Sequence, residues 1–400
     1  MKATPPDRRP ATMPACETAV EWLRVDALDL PVRIGLARFH GAGGVTEHHI
    51  TIQLVGDPPD PLTTLKEAYL RALARAGISP RGAVFRRIFC SDVLNQRDWF
   101  ETPEWQPLSL VGQPPAPAAK LALWAWHVDT PDGPARITRS GPDCSWTRGD
   151  LTHHWSSGLT AHGPADSHTQ SRRVLVDYDH WLESRGLNLA DHVVRTWWYV
   201  GAIDADYQGL VDARREYFET RGLTADTHYI SSTGIQGGLP ERDAKVGMDA
   251  YTIAGLQPAQ IRFLTATDHL CPTADYGVTF ERGTAIAYAD RKHLFISGTA
   301  SIDDHGEILH RGDVIGQFER ALENVEVLLA DGGADLHDMA SLLVYLRDPA
   351  DARRIDALLR SRLPGIPYVL VEGPVCRPGW LIELEGIAIV PTERRDLPEF

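Results

Sequence analysis

Apolar positions along the chain follow two rhythms, and the same succession of rhythms returns three times. From Leu62 the stretch LKEAYLRALARAG has apolar residues at helical spacing and ends on Gly77, a helix-stop signal. ISPRGAVFRRIFCSD then supplies a β-branched and aromatic run that reads as a buried strand. The second occurrence is YDHWLESRGLNLADHVVRTWWYVGAID followed by the helical LVDARREYFETRG. The third is FERALENVEVLLADGGADLHDMASLLVYLRDPAD followed by RRIDALLRSRL. Gly77, Gly186 and Gly333 hold equivalent places, 109 and 147 residues apart, so the repeat is domain-sized and not a solenoid unit.

The third unit is the clearest. The pattern predicts a strand at Leu294 to Ser297, a helix at Gln317 to Ala330 and a strand at Ala340 to Leu346. A helix at Ala350 to Arg362 and a closing strand at Trp380 to Val390 follow. In the second unit HWSSGLTAHG echoes LFISGTASID, and THYISSTGIQGG echoes IPYVLVEGPVCR, which sets Tyr229 against Tyr368. The first unit is degraded, with strands VRIGLARF and HHITIQLVG before its helix. Strands alternating with two helices per unit predict an α+β fold with helices on one sheet face. Proline and glycine density marks Gln113 to Ala118 and Gly237 to Lys245 as connections. The expected division is a flexible tail at 1–24 and units at 25–112, 119–255 and 276–392.

Composition narrows the function. The 400 residues are 43% hydrophobic, enough for a real core, and carry a formal charge of −14. That balance argues against nucleic acid as a partner, which needs clustered cations. No apolar run is long enough to cross a bilayer, and the first residues lack the apolar stretch of a signal peptide. Five scattered cysteines, odd in number and without a CxxC pair, argue against disulfides or zinc and make a reducing cytoplasm the expectation. His48–His49 and His153–His154 lack metal-ligand spacing, so no metal is expected. GAGG at Gly41 to Gly44 fits neither a phosphate loop nor a dinucleotide fingerprint, and no GxSxG occurs.

Some residue types invite chemistry. Glu383 and Glu385 in IELEG point to one strand face, where paired carboxylates are costly unless solvated or used. Cys376 in VCRPGW fits either an inert small hydrophobe or a thiol activated by Arg377. Arg195, Arg377, Arg214 and Arg215 are candidate anion contacts or solvated cations, and of the last two at most one can enter a cleft. Ser297 to Ser301 and Thr233–Gly234 are turn-like stretches whose hydroxyls and N–H groups suit a carboxylate. Trp197, Trp198 and Tyr199 make one strand unusually aromatic.

ISGTAS…GD…Q…LENVEVLL…GGA…YLRD…IELEGIAIV resembles the Rid family of small deaminases, which assemble as trimers with clefts between subunits. With RTWWYVGAID, YISSTGIQGG and VCRPGWLIELEG, residues 25–392 resemble the chorismatases, in the subgroup of 3-hydroxybenzoate synthases. That resemblance implies three degenerate Rid-like (chorismate-mutase-like) units in one chain forming a pseudo-trimer. It implies cofactor-free cleavage of the enolpyruvyl ether of chorismate to pyruvate and 3-hydroxybenzoate, with 4-hydroxybenzoate a further product. Glu383 takes the acid/base role and Cys376 assists, in the cleft between units two and three. Arg377, Arg195, Tyr199, Tyr207, Arg214, Arg215, Thr233, Gly234, Ser297, Thr299 and Tyr368 are the expected substrate contacts. Asp249 stands near the place of Glu383 in unit two, so a single site is expected. The Rid family carries an arginine fifteen residues before its catalytic Glu; here that place holds Tyr368, which disfavours imine deamination. The rival readings are hydrolysis to a dihydroxycyclohexadiene carboxylate and a non-catalytic Rid-like metabolite binder. A pseudo-trimer closes its own ring, so a monomer is expected.

Overall fold

The protein is described by a computed structural model covering residues 20–23, 29–102, 105–106, 108–267 and 269–400. The first sheet holds β1 (Glu21–Leu23), β2 (Val32–His40), β3 (Thr46–Leu54), β4 (Ala83–Cys90), β5 (Ser109–Gly112), β6 (Leu121–Thr130) and β7 (Gly133–Pro134). The second holds β8 (Thr138–Ser140), β9 (Asp143–Arg148), β10 (Leu151–Thr160), β11 (Val193–Val200), β12 (Ser231–Gln236) and β13 (Val246–Ala254). The third holds β14 (Ile261–Leu264), β15 (Gly283–Ala287), β16 (Arg291–Ala300), β17 (Met339–Leu346), β18 (Tyr368–Glu372) and β19 (Ile382–Pro391). Strand orders β2-β3-β6-β4-β5, β9-β10-β13-β11-β12 and β15-β16-β19-β17-β18 are one topology repeated three times. The last pair of each is parallel and the others antiparallel.

Helices α1 (Pro61–Ala76), α2 (Val93–Gln96), α3 (Ser167–Glu183), α4 (Leu189–His192), α5 (Ile203–Thr220), α6 (Val314–Asp331) and α7 (Ala352–Arg362) complete the α+β units. In unit one the second helix has shrunk to α2, whereas α5 and α7 fill that place elsewhere. Gly77, Gly186 and Gly333 have φ of 69°, 71° and 71°, a left-handed helix exit that a β-carbon disfavours.

The unit boundaries differ from those expected. β6 lies between β3 and β4 in the first sheet, so unit one runs through Pro134 and does not stop at residue 112. The proline-rich Gln113 to Ala118 is therefore internal. It reaches across to the third unit, where Ala116 N–H donates to Leu370 O at 2.9 Å and Glu372 N–H donates to Pro114 O at 2.8 Å. Gly237 to Lys245 likewise joins β12 to β13 inside unit two. The chain passes between units at 135–137 and 255–260. Of the expected tail, residues 1–19 and 24, with Cys16, lie outside the described residues, while β1 pairs with β2 as an edge strand.

The inner sheet faces meet in an aromatic core that includes Trp124, Trp126, Trp155, Trp197, Tyr251 and Phe295. Trp197 and Tyr199 turn inward to this junction, and Trp198 turns outward beneath α3 and α5. In the same junction Arg87 of β4 pairs with Asp249 of β13 at 2.9 Å and lies 4.0 Å from Glu385 of β19. Arg195 of β11 pairs with Glu385 at 2.6 Å. Asp249 also accepts from Ser109 Oγ at 2.7 Å, Tyr199 OH at 3.1 Å and the Gly158 N–H at 2.7 Å. The Arg87 guanidinium lies 4.9–5.4 Å from the rings of Phe85, Trp124, Trp197 and Tyr199. Truncating one member of a buried pair strands its partner. Arg87→Met should lower unfolding stability by about 3–5 kcal/mol, read from urea denaturation; a loss under 1 kcal/mol would show the junction tolerates an uncompensated Asp249.

Candidate functional site

β19 carries Glu383 opposite Ala300 of β16 on one side and Tyr345 of β17 on the other. The register assigns counterparts across the repeats. Glu385 lies opposite Leu343, Asp249 opposite Trp197 and Trp124 opposite Arg87, so those three are equivalent. The counterparts of Glu383 are then Gly247, opposite Tyr199, and Ala122, opposite Phe89. Asp249 thus matches Glu385 and not Glu383, and among the three equivalent positions only the one on β19 has a carboxyl.

Glu383 forms one wall of a cavity of about 180 Å³ between units two and three. Unit two contributes Tyr207, Gln208, Val211 and Arg214 from α5, and Ser232, Thr233 and Gly234 from β12. Unit three and the segment before it contribute Gly277, Val278, Phe280, Arg282, Gly298, Ala300, Ile302, Cys376, Arg377 and Trp380. A β-carbon on Gly298 would lie 2.2 Å from Glu383 Oε1, so only glycine leaves room for the carboxyl there.

Of the expected contacts, Glu383, Cys376, Arg377, Tyr207, Arg214, Thr233 and Gly234 line this cavity. Six do not. Arg195 lies behind the wall, donating to Glu385, to Thr233 Oγ1 at 2.5 Å and to Ser297 Oγ at 3.2 Å. Ser297 Oγ donates to Glu281 O at 2.6 Å and Thr299 Oγ1 to Ser297 O at 2.8 Å, so both hydroxyls serve the backbone. Tyr199 faces the junction and Asp249. Arg215 lies on the exposed side of α5, paired with Asp212. Tyr368 lies where the third unit meets the first, donating to Asp356 Oδ1 at 2.9 Å and accepting from Arg33 at 2.7 Å. Nor is Tyr229 its counterpart: Leu342 opposite Tyr368 corresponds to Thr196 opposite Ser232. Arg282, Phe280 and Trp380 were not anticipated; Arg282 stands just ahead of β15 and donates to Cys271 O at 3.0 Å.

Burial shapes the acidity of the cavity. It is the largest influence raising the Glu383 pKa to about 8, with the Glu385 charge adding to it and Arg195 and Arg282 opposing. The Cys376 thiol is pushed up to about 12 by burial and by Glu383, against lowering by a hydrogen bond with Tyr207 and by Arg377. The expected activation of Cys376 by Arg377 is therefore outweighed, and the residue stands as a thiol. The Tyr207 phenol is likewise raised, mainly by burial and then by Cys376. At neutral pH the cavity offers a carboxylic acid, a thiol and a phenol beside three arginines. Among the described residues no three His, Cys, Asp or Glu side chains converge as a metal site, and no helix is long and apolar enough to cross a membrane.

The family model for Endoribonuclease L-PSP matches residues 284–390. A 3-hydroxybenzoate synthase of Streptomyces hygroscopicus is 27% identical over 258 residues, 56% of this chain and 71% of that protein. A chorismatase of Streptomyces rapamycinicus is 31% identical over 222 residues, 49% of this chain and 63% of that protein. A RutC family protein of Pyrococcus abyssi is 33% identical over 98 residues, 24% of this chain and 76% of that protein. Among solved structures, a chorismatase aligns with a TM-score of 0.59 at 20% identity, over 77% of this chain and 93% of that one, showing a shared fold.

The raised Glu383 pKa has a consequence for stability. The folded chain binds this proton and the unfolded chain releases it between about 4.5 and 8, so stability falls as pH rises through that window. Glu383→Gln should flatten the decline by up to about 1.4 kcal/mol per pH unit. Chemical denaturation across pH 5–8 measures it, and an unchanged slope would mean the carboxyl is ionised in the fold.

Proposed function

Since the chain belongs to the RutC family through its third unit and is homologous to proteins named chorismatase and 3-hydroxybenzoate synthase, we propose that it cleaves chorismate to pyruvate and 3-hydroxybenzoate. The observation that carries the reading is the Glu383 carboxyl buried in the wall of a cavity that also holds Arg214, Arg282 and Arg377, with burial raising its pKa to about 8. Chorismate bears two carboxylates and an acid-labile enol ether. The arginines supply the charge that two carboxylates need. Trp380 and Phe280 supply apolar surface for the ring.

The chemistry asks for a proton at carbon. Glu383 delivers it to the enolpyruvyl methylene, leaving an oxocarbenium ion on the side chain and a carboxylate on the enzyme. The neighbouring ring hydroxyl then attacks the carbon bearing the ether. The carbon–oxygen bond breaks, pyruvate leaves with its carbonyl formed, and the hydroxyl proton returns to Glu383. The resulting arene oxide opens to the aromatic 3-hydroxybenzoate, or in part to its 4-hydroxy isomer. No water is consumed and no electron leaves the system. Cys376 and Tyr207, hydrogen-bonded to each other beside Glu383, relay that proton and occupy the space a water would need. Were water to attack instead, the product would be a dihydroxycyclohexadiene carboxylate.

Incubation with chorismate, followed by mass spectrometry, should give pyruvate and 3-hydroxybenzoate. Binding without turnover would favour a metabolite-binding role. Because the acid form acts, kcat/KM should be flat up to about pH 8 and fall tenfold per unit above it, and Glu383→Gln should abolish turnover. Cys376→Ala should shift product towards the dihydroxycyclohexadiene acid, and an unchanged ratio would reduce the thiol to packing.

A further inference from the structure

Glu385 lies two residues along β19 from Glu383 on the same face, in opposite surroundings. Glu383 borders the cavity. Glu385 is enclosed: Oε2 accepts from Arg195 Nη2 at 2.6 Å and from the Thr233 hydroxyl, and Oε1 accepts from Tyr345 OH at 2.9 Å. Arg87 Nη1 stands 4.0 Å away on the far side. The Thr233 hydroxyl in turn accepts from the Gly298 N–H at 2.9 Å, and Gly298 is the residue the Glu383 carboxyl leans against.

The charged and titratable groups around Glu383 are Glu385 on its own strand, Tyr345 opposite it on β17, Arg195 on β11, Arg282 ahead of β15, Tyr207 and Arg214 on α5, and Cys376 and Arg377 before β19. Cations outnumber anions here, and in a buried site a nearby cation draws the proton off a carboxyl. Something must occupy Arg195 if Glu383 is to stay an acid.

We propose that Glu385 is a positioning residue for the Glu383 acid: its carboxylate occupies the buried Arg195 that would otherwise favour ionisation of Glu383, and its hydrogen bonds hold the Thr233–Gly298 wall. This rests on the reading of Glu383 as the proton donor, but it is testable without turnover.

The measurement is infrared titration of the full chain without substrate. The protonated carboxyl band of Glu383 is assigned by its loss in Glu383→Gln. Its midpoint in the parent should lie near pH 8. Glu385→Gln should move that midpoint down by at least one unit, roughly a tenfold loss of protonated carboxyl at pH values well above the parent's midpoint. Glu385→Asp keeps the charge and should stay near the parent. Arg195→Gln should move the midpoint up, which keeps the question open to test if Glu385→Gln does not fold. An unmoved midpoint in Glu385→Gln, a downward shift in Glu385→Asp as large as that in Glu385→Gln, or no upward shift in Arg195→Gln, overturns the proposal. If these shifts appear while the parent leaves chorismate intact, the functional reading fails and the positioning role stands.

Discussion

Four charged side chains almost wholly withdrawn from water hold the three sheets together: Arg87, Asp249, Arg195 and Glu385. Each unit contributes to the set, and none of the four can be removed without leaving an expensive partner behind. The Arg87 guanidinium is also boxed by four aromatic rings from β4, β6 and β11, so its position is fixed by packing as well as by charge. The degraded first unit therefore keeps a reason to exist. It lines no part of the cavity between its neighbours, yet it supplies the cation from which Asp249 and Glu385 take their places.

The repeat makes three clefts of one geometry, and side-chain differences make them unequal. Ala122, Gly247 and Glu383 occupy the same register position, so the capacity to donate a proton exists at one of the three. The next position on the same face, Trp124, Asp249 and Glu385, is polar in two units and serves the junction instead. Where the third unit meets the first, Arg33 and Arg360 both pair with Asp356 and Tyr368 joins them, so the charged groups of that cavity are engaged with one another. A symmetric trimer needs every cleft to tolerate the same residues. A single chain is free of that constraint and can specialise one cleft while using the others for cohesion.

Much of this was legible in the chain, and the failures have physical causes. Amphipathic periodicity and the left-handed glycines located the helices and the strands after them, because both reflect local burial and backbone sterics. The first unit ends later than its sequence suggests because a proline-rich strap has the same composition as a linker; only pairing shows that β6 returns to the middle of the first sheet. The mismatch of Tyr229 with Tyr368 is a three-residue register error, and register on a parallel edge strand is set by its neighbour. That Arg195 lies behind the cavity rather than in it is not legible, because strand alternation tells which residues share a face, not what that face meets. Nothing in the sequence marks Arg282, which precedes a strand outside the repeated helix–glycine–strand pattern. Resemblance, more than pattern, points to Glu383 and Cys376, since a pair of strand carboxylates alone is compatible with a solvated edge.

The acidity of the whole chain and the chemistry of the cavity are reconciled by protonation. A chain of net charge −14 is a poor environment for a dianion unless the site excludes negative charge. Here burial holds the carboxyl of Glu383, the thiol of Cys376 and the phenol of Tyr207 in their neutral forms, so the titratable wall adds no anion of its own at neutral pH. The one carboxylate close by, Glu385, is already engaged by Arg195. Arg214, Arg282 and Arg377 are the cationic residues in the cavity lining. The burial that raises the Glu383 pKa also keeps negative charge out of the cavity; both follow from one physical effect, the cost of desolvating charge.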